Sequence, residues 1–136
     1  VAHDPKKYFS PQDVEALIPE LMTIMGRLMD IQGEIGKLRS ALREEQDRIM
    51  AAGGAILDRE TWRDRTRRLE ELTRRAQAGI AAITKLGGVP KDLSMGLVDF
   101  PHFLEDREVN LCWRFGETRV SFWHGLEEGY AARRPL

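Results

Sequence analysis

From Val14 to Ile49 the apolar residues repeat at the spacing of a coiled coil. Val14, Leu17, Leu21, Ile24, Leu28, Ile31, Ile35, Leu38, Leu42 and Ile49 follow alternating steps of three and four, and only Glu45 interrupts the series. A period of 3.5 keeps one seam of a helix turned toward a partner, so this segment is expected to be a long helix buried along one stripe. Its start is marked at "FSPQDV": Ser10 suits the N-cap, Pro11 the first helical position and Asp13 the third, with Phe9 and Val14 spaced as a staple. Pro19 interrupts the early turns, while Gly26, Gly33 and Gly36 weaken the helix but allow a neighbour to approach closely.

A partner helix lies downstream. "AAGGAIL" (51–57) reads as the turn, and Asp58 can cap a second helix carrying Trp62, Leu69, Leu72, Ala76, Ile80, Ile83 and Leu86. Gly87 and Gly88 end it, and Pro90 prevents it resuming. Glu70–Arg74 and Glu71–Arg75 are spaced for ion pairs on its outer face. At about 1.5 Å per residue the helices span roughly 60 Å and roughly 40 Å, so the start of the first overhangs. The apolar residues from Val14 to Leu21 then need cover, from the tail of the chain or from a second chain. Two helices alone bury one stripe each, so a homodimer completing a four-helix bundle is expected.

The tail changes period. In "EVNLCWRF", Val109, Leu111, Trp113 and Phe115 alternate with Asn110, Cys112 and Arg114, as in a strand with one buried face. "GE" (Gly116-Glu117) suits a two-residue type II′ turn into a second strand, "TRVSFWH". That turn would oppose Trp113 to Val120, Cys112 to Ser121, Leu111 to Phe122 and Arg114 to Arg119, with Trp123 beside Asn110. "GLVDF" (96–100) reads as a third strand. The fold class is therefore α+β, mostly α: one domain over 1–136, with a helical hairpin at 8–88 and a small antiparallel β-sheet tail at 89–136.

Composition narrows the function. With 21 Lys+Arg against 22 Asp+Glu the net charge is -1, which argues against a general polyanion binder. The basic run "RDRTRR" is interleaved with acids and lacks aromatic residues for base stacking, so nucleic acid is not the expected partner. Cys112 is the only cysteine, which excludes an internal disulfide and leans toward a reducing compartment. No apolar run approaches membrane-spanning length, and a cytoplasmic location is expected.

The tail also carries the residues with chemistry. His124 and Glu127 are three apart and could face one ion or substrate, and Asp99 and His102 could complete a set of N and O ligands for a divalent metal. The plainer reading is that His124 hydrogen-bonds Glu127 and fixes the tail. Arg114 and Arg119, if opposed, need an anion between them: Glu117 or Glu128 from within, or an external phosphate or carboxylate. Cys112 reads as a small packing residue rather than a nucleophile. Trp123 falls on the polar face by parity and needs cover, from "YAARRPL", from another subunit or from a ligand; Arg133 or Arg134 could stack on a Trp.

"YFSPQDVEALIPEL", "GLVDFP", "LCWRFGE" and "WHGLEEGYAARRPL" together resemble a bacterial family catalogued as domain of unknown function 2203. The likeness runs over nearly the whole chain. It implies a helical hairpin with a small β-region and no assigned activity. The family's tail is close to W-H-x-L-D-x-G-F-x-G-R-x-P-L; here Glu127, Tyr130 and Ala132 replace its Asp, Phe and second Gly. The expected role is a non-catalytic binding or interaction module. Its ligand surface would draw on Asp99, Trp113, Arg114, Glu117, Arg119, Trp123, His124, Glu127 and Arg133, with a small anion or a protein as partner. The alternative is a small metal-assisted hydrolase using His124 and Glu127.

Overall fold

The computed structural model describes residues 7–54 and 58–136. Helix α1 spans Pro11–Ala51 and helix α2 spans Arg59–Leu86. The entry to α1 is the expected capping box: Ser10 Oγ accepts from Asp13 N–H at 3.0 Å, and Asp13 accepts from Ser10 N–H at 2.9 Å. Asp58 caps α2 by accepting from Thr61 N–H at 2.9 Å. Gly87, at φ 102°, closes α2 in the left-handed conformation and its N–H returns to Thr84. Of the expected turn, 55–57 lie outside the described residues.

The α1 stripe is buried at Val14, Leu21, Leu28 and Ile35, with Leu17, Ile24, Ile31 and Leu38 half-buried beside it. Ile18 and Met25 are buried too, which widens the stripe where α1 meets the tail. Glu45, the break in the repeat, is also buried and pairs with Arg48. Arg68 crosses to Glu34 at 3.0 Å and ties the helices together, while Glu71–Arg75 forms on the α2 surface at 2.6 Å.

The tail is a five-stranded antiparallel sheet in simple order: β1 Val89–Asp92, β2 Leu97–Leu104, β3 Arg107–Arg114, β4 Phe122–His124 and β5 Arg134–Pro135. One face of the sheet covers the overhanging end of α1. Val98, Phe100, Leu111, Trp113 and Val120 join Val14, Ile18, Leu21 and Met25 in a single core cluster. Gly88 permits this contact, because a Cβ there would fall 2.6 Å from Val98 Cγ1 and 2.8 Å from Phe100 Cζ.

The expected hairpin within the tail needs correction. The tight hairpin joins β2 to β3 through Glu105 and Asp106, both at positive φ as a two-residue type I′ turn requires. Between β3 and β4 the chain instead closes a turn over Arg114–Glu117, with the Glu117 N–H on the Arg114 carbonyl at 2.9 Å and Gly116 at φ 98° in the third position. It then crosses α1, where Val120 N–H reaches Glu15 at 3.1 Å, before pairing resumes as Asn110↔His124 and Leu111↔Trp123. The register differs by one residue from a two-residue turn, and a one-residue slip exchanges the faces of a strand. Trp123 therefore shares the face of Leu111, while Phe122 and His124 share the face of Cys112. Arg114 lies opposite Leu97 rather than Arg119, and Arg119 is exposed outside the strands.

Candidate functional site

Strand pairing assembles the site on the sheet face turned away from the helices. Asp99 on β2 is the direct cross-strand neighbour of Cys112 on β3, and His124 on β4 stands diagonally beyond. All three are buried, with one ligand atom of each within 4.8 Å of the others. His124 Nε2 lies 3.0 Å from Asp99 Oδ1, and His124 Nδ1 lies 2.8 Å from the Gly125 carbonyl. A carbonyl only accepts, so Nδ1 carries a hydrogen; Nε2 and Oδ1 then hold one proton between them. Burial pushes the Asp99 carboxyl above its usual range, against the opposing pull of His124 and Lys91. Burial likewise pushes the Cys112 thiol up to about 12, and the Asp99 carboxylate adds to the effect.

A cavity of about 110 Å³ opens on this trio, lined by Lys91, Leu97, Glu128, Gly129 and Tyr130 besides the three. Lys91 reaches it by simple alternation: it stands two residues on from Val89, the cross-strand partner of Asp99, and so shares the face of the trio. Glu128 is held in place by Gly125 N–H at 2.8 Å and by Arg134 at 2.9 Å and 3.0 Å.

The arginines have partners from within the chain. Arg133 donates to both oxygens of Glu117, at 2.9 Å and 2.8 Å, and to the Cys112 carbonyl at 3.2 Å. Its guanidinium lies 4.1 Å from the centre of the Phe122 ring and 4.9 Å from that of Tyr130. Arg114 donates to the Tyr130 hydroxyl at 2.8 Å. Trp123 is covered as expected by the tail's last strand: Arg134 lies 4.8 Å from its ring centre, and Arg107 lies 5.5 Å away.

Of the residues singled out in the sequence, Asp99 and His124 meet. Glu117 pairs with the Arg133 side chain rather than with those of Arg114 or Arg119, the opposed arginines for which it was weighed as the internal anion. Trp113 is fully buried in the core and presents nothing to a ligand. Glu127 is exposed and His124 bonds Asp99 instead. His102 belongs to the opposite face of β2 from Asp99, where its Nδ1 meets the Phe9 carbonyl at 2.7 Å. The residue undervalued by sequence reasoning is Cys112. The signal for it was "ED" at 105–106 between two apolar runs: a two-residue turn there sets the register that opposes Cys112 to Asp99.

A family model described as an uncharacterized conserved protein (DUF2203) matches residues 7–136. No curated protein and no solved structure matches the chain.

Proposed function

The chain belongs to the uncharacterized DUF2203 family, whose description assigns no reaction, and we propose that it acts as a non-catalytic binding module with its ligand seat at Asp99, Cys112 and His124. The observation that carries this reading is the engagement of both His124 ring nitrogens, one by the Gly125 carbonyl and one by Asp99. A cysteine nucleophile needs a free base or a lowered pKa, and Cys112 has neither. The trio is arranged to hold a ligand rather than to attack one. Glu127, the second residue of the hydrolase alternative, is exposed and lies outside the cavity lining, so the seat proposed here is drawn without it.

Alkylation tests this reading. In folded protein stripped of metal with a chelator, Cys112, its thiol held near 12, should react with iodoacetamide at pH 8 roughly a thousand-fold more slowly than in urea-unfolded protein. Mass spectrometry of timed samples reads the rate. Rapid stoichiometric labelling of folded protein would mean an activated thiol and would overturn this reading.

The hairpin supports a second element of the proposal, a homodimer. An open groove of about 520 Å³ runs between α1 and α2, lined by Ile24, Leu28, Ile31, Ala78, Gly79 and Ala82 together with the charged Arg27, Asp30 and Arg75, the last already paired with Glu71. Among the described residues neither Arg27 nor Asp30 has an ion-pair partner, and the two signs suit a self-complementary two-fold contact. A helix-pair face about 40 Å long and about 20 Å wide offers each copy roughly 800 Å², a standard interface once doubled. Light scattering at micromolar concentration should give twice the chain mass, and Ile31→Glu should give a folded monomer. A monomeric parent protein would refute the dimer.

A further inference from the structure

We propose that Asp99, Cys112 and His124 are the protein ligands of a divalent metal ion of the zinc class, with its fourth coordination position facing the cavity. The inference deepens the binding-module reading by naming the ligand, and it rests on that reading.

The donor set is the first argument. A thiolate, an imidazole and a carboxylate together favour zinc and its neighbours over magnesium or calcium, which take oxygen ligands. Charge is the second. Three groups that are almost wholly buried can hold a dication with a net charge of zero, since Asp99 and the Cys112 thiolate each contribute one negative charge. The proton shared by Asp99 and His124 and the thiol proton leave to solvent as the ion enters.

Geometry is the third. Tetrahedral zinc spaces its N, O and S donors roughly 3.3–3.6 Å apart. The 3.0 Å Nε2–Oδ1 separation and the 4.8 Å limit for the whole trio bracket that range. The Nδ1–H bond to the Gly125 carbonyl directs the Nε2 lone pair toward the other two donors, which is how metal-binding histidines are commonly oriented. Among the described residues a fourth protein donor is not in place: Glu128, on the cavity wall, is engaged by Gly125 and Arg134. The remaining position therefore falls to water or a small ligand in the cavity.

The test uses untagged full-length protein stripped with a chelator, then titrated with Zn²⁺ by calorimetry and with Co²⁺ by absorption. One ion per chain is expected, with a thiolate-to-cobalt charge-transfer band. Cys112→Ser should abolish that band and weaken Zn²⁺ binding by about 100-fold or more, since loss of outer-shell partners alone costs up to that much. Glu127→Gln should leave both unchanged. Failure of the folded parent protein to take up either ion overturns the proposal. So does cobalt binding without the charge-transfer band, a readout on the parent protein that does not depend on any variant folding. Loss of binding in Glu127→Gln would move the site to the outer surface. If no metal binds while Cys112 stays protected from alkylation, the seat stands and the metal falls; a reactive Cys112 defeats the seat itself.

Discussion

Trp113→Ala should lower stability by about 3–5 kcal/mol, the usual cost of truncating a buried aromatic, and so lower the melting temperature by roughly 10–20 °C. Trp113 is fully buried in the cluster that joins the sheet to the overhanging turns of α1, and its Nε1–H donates to the Glu117 carbonyl at 3.0 Å. Losing it opens a cavity at the joint between helices and sheet and leaves that carbonyl without its donor. Arg114→Ala, one residue on, should cost less than about 1 kcal/mol. Arg114 is exposed, its backbone N–H keeps its bond to Glu117 at 2.7 Å, and only the guanidinium contact with Tyr130 is lost. Thermal unfolding of both variants in one buffer makes the comparison. A larger loss for Arg114→Ala would reverse the assignment of the two faces of β3.

Arg133→Ala should cost about 2–3 kcal/mol, less than the 3–5 of a fully buried ion pair. The Arg133 side chain is 10% exposed, but Glu117 keeps 26% of its side chain in water and can rehydrate. The Arg133 Nε is itself buried with no hydrogen-bond partner among the described residues, which lowers the net value of the native pairing. Against that stand the stacking on Phe122 and Tyr130 and the bond to the Cys112 carbonyl. Arg134→Ala is the control. It also removes a carboxylate pair, but Arg134 is 47% exposed, so its cost should stay within about 1 kcal/mol. Urea unfolding at neutral pH measures both. Equal costs would show that Arg133 acts as a surface residue and does not clamp the tail.

The helical hairpin was legible because its signals are local. Capping at Ser10 and Asp58, the 3.5 period and the Gly87-Gly88 stop each act within a few residues, and each forms as expected. The overhang followed from helix lengths alone, and so did its need for cover, which the tail supplies. The alternation of Val109, Leu111 and Trp113 likewise fixed which face of β3 packs inward.

The site was half legible, for a reason that lies in one turn. Alternation gives the two faces of each strand but not the register between strands. At Gly116 the sequence allowed either a tight hairpin or a wider crossing. What decides is the contact of the loop with α1, through Val120 N–H on Glu15 and Gly116 N–H on Met22 Sδ at 3.4 Å. These partners lie some hundred residues upstream and carry no local signature. The chosen register moves Trp123 to the face of Leu111 and brings His124 beside Cys112 and Asp99, which are paired through the separate Glu105–Asp106 turn. Periodicity and caps, acting through neighbours in sequence, thus determined the elements and their inward faces. Only the packing of the sheet on α1 decided the register, because a one-residue slip leaves every local preference satisfied while exchanging which side chains meet.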